Sequence, residues 1–247
     1  MERWRVIGPE GHDIYEALAL EEVSMESVLA GGDPIIRFWY WKGDSASVGR
    51  FQCIGDEIDI GYASARGISL ARRPSGGGAV YNGEGEEILY SVVARTDMGS
   101  PSIEASFRGV CSCIQHGLGM MGIEAEFEGP ANIMVDGQKI SGNSKWIRKR
   151  ASLQHGTILY RPDRRAMNMV LKLNEASSCH GTPSKPREVT GIKEHSEVGF
   201  FEALRLLMDA FSAGKRHYPG TWTTDEANRA KELEDKKYRR MEWVFSR

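Results

Sequence analysis

Apolar residues recur at steps of three and four along residues 12–29, placing Ile14, Leu18, Met25 and Val28/Leu29 on one face of a helix. The cleanest such stripe covers residues 102–121, through Ile103, Phe107, Val110/Cys111, Ile114, Leu118 and Met121, with Gly122 placed to end it. A third runs through Phe200/Phe201, Leu204, Leu207 and Phe211, and a polar helix is expected from Asp225 to Trp243. Between the helices the period changes. PIIRFWYW (34–41) is aromatic and β-branched, SASVGRF (45–51) reads as the next strand, and Lys42-Gly43-Asp44 supplies the turn. ILYSVVA (88–94), NIMV (132–135), QKIS (138–141) and SLQHGTILY (152–160) are further strands. Strands cluster in the middle and alternate too irregularly with helices for a βαβ series. The expectation is an α+β sheet with helices packed on one side.

Composition narrows this little. The chain has 247 residues, 40% of them hydrophobic and 27% charged, enough for one core without metal or disulfide staples. One domain spanning 1–247 is therefore expected. A net charge of −2 gives no cause to expect nucleic acid or membrane as partners, and no apolar run has membrane-spanning length. MERWRVIGPE lacks a signal-peptide core, and Cys53, Cys111, Cys113 and Cys179 form no disulfide framework, so the cytoplasm is the expected compartment. Cys111, Cys113 and His116 could be metal ligands, but their stretch fits an apolar helix face better.

Three segments could carry chemistry. In LARRPSGGGAVYNGEGEEILYSVV (70–93), Gly76, Gly77 and Gly78 expose main-chain N–H groups to phosphate or carboxylate oxygens, with Arg72 and Arg73 as positive charge at the rim. The plain alternative is a glycine-rich turn beside two surface arginines. In NIMVDGQKISGNSKW (132–146), Asp136-Gly137 is a hairpin signal that sets Lys139 just inside the returning strand. Ser141-Gly142-Asn143 then reads as a flexible polar loop, so the ammonium could face a pocket and neutralise a carboxylate or phosphate. A solvated strand lysine is the alternative. In LQHGTILY (153–160), Gly156 after His155 suggests close backbone approach or a bulge, and a satisfied structural histidine is the ordinary reading of His155.

The order and spacing of RRPSGGGAVY, GQKISG and LQHGTIL resemble the lipoate–protein ligase A family. WYWKGDSASVGRFQ (39–52), SKPREVTGI (184–192) and LEDKKYRRMEW (233–243) extend the likeness over residues 12–243. The resemblance implies the mixed sheet with packed helices shared with biotin–protein ligases and class II aminoacyl-tRNA synthetases. It implies ATP and Mg²⁺ as cofactors, lipoate as substrate, and lipoyl-AMP as the intermediate from which a carrier lysine is acylated. By position, Lys139 would be the central catalytic residue, Arg73 would touch the adenylate phosphate, and Gly76, Gly77 and Gly78 would line the lipoyl-AMP cleft. Ser75, Ala79, Val80, Ile140, Ser141, Gly142 and His155 would complete the pocket. The implied partners are lipoyl carrier domains of 2-oxoacid dehydrogenase complexes or the glycine-cleavage H protein.

The sequence departs from the family at four places. Asn82-Gly83 stands where His-Asp is usual, Asn132 where an acidic residue is common, and Gly142-Asn143-Ser144 where GSA is expected. The small C-terminal accessory domain of two-domain ligases is expected to be absent, its part taken by a separate small chain. The second reading is an octanoyl- or lipoyl-transferase passing the acyl group through a cysteine thioester without ATP. Cys179 in SSCHGTP, beside His180, is its candidate nucleophile, against an ordinary loop thiol. A catalytically dead acyl-binding protein is a third.

Overall fold

In this computed structural model, residues 2–96, 102–129, 131–172 and 181–247 are described. Among the described residues, eleven strands alternate with helices: β1 (Trp4–His12), α1 (Ile14–Leu29), β2 (Ile35–Trp41), β3 (Ser45–Val48), α2 (Ile54–Glu57), α3 (Ile60–Ala65), β4 (Ser69–Arg72), β5 (Val80–Asn82), β6 (Glu87–Arg95) and α4 (Ile103–Met120). After these come β7 (Glu126–Glu128), β8 (Asn132–Val135), β9 (Gln138–Arg148), β10 (Ala151–Leu159), α5 (Arg164–Val170), α6 (Ile192–His195), α7 (Phe200–Ser212), β11 (His217–Gly220), α8 (Thr224–Leu233) and α9 (Met241–Val244). Eight strands form one mixed sheet in the order β11-β1-β2-β6-β10-β9-β8-β7, and β4-β3-β5 form a second, smaller one. Strand β1 runs parallel to both its neighbours, whereas the run from β2 to β7 is antiparallel. The fold is α+β, as expected.

Helices cover both faces of the large sheet, not one. Ile36 and Phe38 of β2 and Ile88 and Tyr90 of β6 pack against Ile114 and Leu118 of α4 and Leu204, Leu207 and Phe211 of α7. Trp39, Trp41 and Leu89 point the other way, against Ile14 and Leu18 of α1 and Leu233 of α8. The cause lies in β2, where apolar residues occupy both sides of the pleat, so both faces need cover. Asp13 caps α1, accepting from the Tyr15 and Glu16 N–H groups at 2.9 Å each. Among the described residues, no helix is long and apolar enough to cross a membrane.

Three local expectations need correction. The tail is not one helix to Trp243: α8 passes into a π turn at Glu234–Tyr238, and α9 follows. Packing decides this, since Tyr238 Oη donates to Glu22 at 2.6 Å and Trp243 Nε1 to the Arg72 carbonyl at 2.9 Å. Ser141-Gly142-Asn143 is not a loop, because β9 runs on to Arg148 and the Asn143 side chain is held by Tyr90 and the Ala131 carbonyl. Cys53 is disulfide-bonded, against the expectation drawn from cysteine usage.

Candidate active site

The glycine turn after β4 is built so that the Gly76 and Gly78 oxygens are occupied and, among the described residues, its N–H groups are not. Arg73 donates to the Gly78 carbonyl at 2.7 Å and the Gly76 carbonyl at 3.4 Å, and Ser144 Oγ donates to Gly76 at 2.9 Å. Ser184 Oγ accepts from the Ala79 N–H at 2.7 Å, closing the end of the turn. The N–H groups of Gly76, Gly77 and Gly78 meet no acceptor among the described residues. Gly77 sits at φ +92°, and its carbonyl approaches so close to Gly49 that a Cβ there would lie 2.3 Å away. A larger residue at either place would push the turn out of shape. Free N–H groups beside buried cations make a concavity for anionic oxygens.

The two arginines differ in use. Arg72 is not at a rim: it is fully buried and spends its donors on the carbonyls of Gly49, Gln52 and Val244. Arg73 is buried too, holding Ser47 and the turn, and burial lowers its pKa to about 10, which leaves it charged at neutral pH.

Lys139 faces the same space from β9. The Asp136-Gly137 turn has φ +49° and +77°, the geometry its sequence foretold. A register shift in the β8–β9 ladder then sets Lys139 opposite Met134 and Ser141 opposite Ile133, leaving one extra residue on β9. That bulge turns Lys139 toward Gly142, where an added Cβ would meet Nζ at 2.6 Å. It also turns Ile140 into the core beside α4 and buries Ser141 completely. These two expected pocket residues line neither cavity described below. Among the described residues, no acceptor bonds the Lys139 ammonium. Burial lowers its pKa, and the Arg187 and Arg73 charges lower it further.

Two cavities meet at Lys139, Val80 and Thr157. The first, about 130 Å³, lies between α1 and the sheet and is walled by Ile14, Leu18, Trp39, Trp41 and Leu89, with Gly77, Gly78, Gly142 and Arg73 at its polar side. Glu21 and His155 also line it. The second, about 170 Å³, is walled by Tyr81, Leu159, Met167, Leu171 and Val189 and carries Lys172, Lys185 and Arg187 with Ala79, Asn168 and Ser184. Trp41 of the first cavity donates to Glu87 of the second at 2.8 Å. His155 is a satisfied histidine and a cavity wall at once, bonded at both ring nitrogens. A Cβ on Gly156 would meet Asn143 Oδ1 at 2.3 Å, the close approach its sequence signalled. Gly76 and Ser75 stand behind the wall, whereas Ala79 and Val80 are in it.

Sequence reasoning missed the α1 wall, Trp39 and Trp41, and the cations of the second cavity. Lys185 and Arg187 lie in SKPREVTGI, a segment matched as a likeness but given no role, and its backbone pairs with Lys139 through Glu188 and Thr190. Cys179 and His180 lie outside the described residues. Among the described residues, no group of three His, Cys, Asp or Glu side chains could hold a metal ion. Asn82 is committed to Ser45 at 3.1 Å. These residues do not form a protein-made cage for Mg²⁺.

A fold with a glycine turn, a buried cation and two joined cavities on one sheet face matches a known class. The family model for the lipoyl protein ligase A/B catalytic domain matches residues 13–212, and the chain belongs to that family. It is 32% identical over 240 residues to lipoate-protein ligase A subunit 1 of Thermoplasma acidophilum, covering 92% of this chain and 90% of that one. It is 28% identical to octanoyltransferase LipM of Kyrpidia tusciae, covering 99% of each. Among solved structures, a bipartite lipoate protein ligase of Thermoplasma acidophilum, described with its E2 lipoyl domain, superposes with TM-score 0.86 at 27% identity, over 99% of this chain and 97% of that one. A lipoate-protein ligase A bound with ATP gives 0.84 at 29% identity over 99% of each chain. Relatives thus include both ligases and transferases.

Proposed function

We propose that this protein attaches lipoate to a lysine of a lipoyl carrier domain in two ATP-dependent steps, through lipoyl-AMP. The observation that carries the reading is the meeting at Lys139 of a tryptophan-walled cavity and one that carries three further cations. An acyl chain fits the first by desolvation of the Trp39, Trp41 and Leu18 walls. A nucleotide's phosphates fit the second, facing Lys172, Lys185 and Arg187. The reacting carboxyl and α-phosphate then come together beside Lys139 and the free N–H groups of Gly77 and Gly78.

In the first step a carboxylate oxygen attacks the α-phosphorus, and the bond to the bridging oxygen breaks to release pyrophosphate. Lys139 and the glycine N–H groups offset the negative charge that gathers on the shared oxygens, which water would otherwise have to reorganise around. Arg73 keeps the turn's carbonyls away from those oxygens. In the second step the carrier lysine's neutral amine attacks the acyl carbon, AMP leaves with the bonding pair, and the amine's proton goes to solvent. Lys139 holds the same oxygens in both steps. Mg²⁺ would supply charge neutralisation on the pyrophosphate, and Asn132, at the start of β8, offers it no carboxylate.

A cysteine-thioester transfer at Cys179 is the second reading, kept by the LipM relatives. A small accessory chain and carrier domains are proposed as partners because the bipartite Thermoplasma ligase is described with such a domain. The test is pyrophosphate release from ATP and lipoate. Release by wild type and Cys179→Ala but not Lys139→Ala is expected. No release from wild type, even with a candidate small chain added, would replace this reading with thioester transfer.

A further inference from the structure

Glu21, His155 and Ser75 come from α1, β10 and the turn after β4, yet they form an unbroken hydrogen-bonded chain. Glu21 Oε1 lies 2.7 Å from His155 Nδ1, and His155 Nε2 lies 2.7 Å from Ser75 Oγ. The three are 1%, 8% and 1% exposed. The connectivity is that of a Ser-His-acid triad. The exposure is not: Ser75 lines neither cavity, so no substrate carbonyl reaches its hydroxyl.

What Ser75 does touch is the glycine turn it opens. With Glu21 accepting from Nδ1–H, Nε2 is left to accept the Ser75 O–H, which fixes the side chain on which the turn begins. Arg73 fixes the far end through the Gly78 carbonyl. The Arg37 and Arg73 guanidiniums both lie near enough to Glu21 for its charge to stabilise them, so one carboxylate sits between the two clamps. Its second oxygen, Oε2, is buried and has no hydrogen-bond partner among the described residues, and neither have Nε and Nη2 of the fully buried Arg37. Burying so many polar atoms is costly, which points to a role beyond filling the core.

We propose that Glu21 and His155 are positioning residues that act through Ser75, setting the Gly76–Gly78 N–H groups where the carboxyl and phosphate oxygens of the acyl adenylate arrive. The proposal rests on the ligase reading for its chemistry, and on geometry for its mechanical part.

Ser75→Ala is the discriminating variant, because it breaks the chain without altering a cavity wall. Pyrophosphate release should fall about tenfold to a hundredfold, the usual scale for donors slightly misplaced. Acid affinity, followed by fluorescence of the cavity tryptophans Trp39 and Trp41, should stay within about twofold, and Ser75→Thr should recover most of the rate. Glu21→Leu should lower the rate similarly and add nothing further in the Ser75→Ala background, as members of one chain do. Hydrogen exchange over residues 74–80 should quicken in both single variants. If Ser75→Ala keeps its rate while Glu21→Leu loses it, or if the two losses multiply, Glu21 acts on the acyl chain directly and the proposal is overturned. If wild type releases no pyrophosphate, the ligase reading fails by itself. Exchange then still decides the positioning claim, and unchanged exchange in both variants refutes it.

Discussion

The two cavities on either side of Lys139 are both largely apolar, and charge sets them apart. One is walled by α1 and the tryptophans of β2, held in place by a core packed on the sheet. The other is walled by Tyr81, Leu159, Met167 and Leu171 and adds the exposed cations Lys172, Lys185 and Arg187 at its edge. Apolar burial rewards shape and is indifferent to salt, whereas phosphate capture by flexible cations is electrostatic and screened. On the proposed reading, an acyl chain and a polyphosphate meet where the two cavities join. Lys139 lines both cavities at that point.

Removing Lys139 should therefore break both halves at once. Lys139→Ala is expected to lower acyl-adenylate formation by about a hundredfold to a thousandfold, measured as pyrophosphate release. Arginine should not rescue it, because the bulge seats a single ammonium against Gly142. Wild-type rates should also drop at high pH. Burial and the Arg187 charge lower the Lys139 pKa, so its proton is lost below the ordinary lysine range and activity with it. Arg187→Ala removes one of the lowering charges and should move that alkaline limb upward. An unmoved limb would mean that another group sets it.

The paired substitutions Ala17→Leu and Arg187→Ala sharpen the contrast. Ala17 is buried on the α1 wall, so a larger side chain fills the first cavity. Acid affinity should fall about tenfold while ATP affinity holds, and Arg187→Ala should do the reverse at about the same size. Isothermal titration with each substrate checks both. A variant that weakened both substrates equally would show that the cavities do not divide the work.

Much of this was legible in the chain, but unevenly. The helical stripe through Leu118 and the alternation around His155 gave elements close to their observed bounds, because burial on one face imposes a period that residues display locally. Strand β1 was not legible, since Gly8 and Pro9 read as breakers. It forms because Gly8, at φ +106°, lets the Phe38 carbonyl come where a Cβ would stand. Gly77, Gly78 and Lys139, singled out from local chemistry, do line the first cavity. Glu21 was not singled out, because on α1 it reads as a solvated helix carboxylate, and only the sheet beneath it supplies His155 as partner. The bulge that separates Lys139 from Ile140 and Ser141 was also hidden, because it is a register between strands and not a property of either one.

The smallest effect tests the partition between the cavities. Trp41 Nε1 donates to Glu87 across it, and burial raises the Glu87 pKa to about 8, so this carboxyl is neutral through most of the working range. Its folded pKa lies above its unfolded value, so the folded state holds a proton that the unfolded state gives up. The associated stability is complete in acid and is lost as pH rises toward about 8. Stability should fall between pH 5 and pH 8 by an amount on the order of 2–4 kcal/mol, followed as a drop in melting temperature. Glu87→Gln keeps an acceptor for Trp41 without the proton and should flatten that slope while leaving both substrate affinities nearly unchanged. If the slope survives in Glu87→Gln, the neutral carboxyl is not what seals the partition. The separation of the cavities would then rest on the Trp41 ring packed against Trp39.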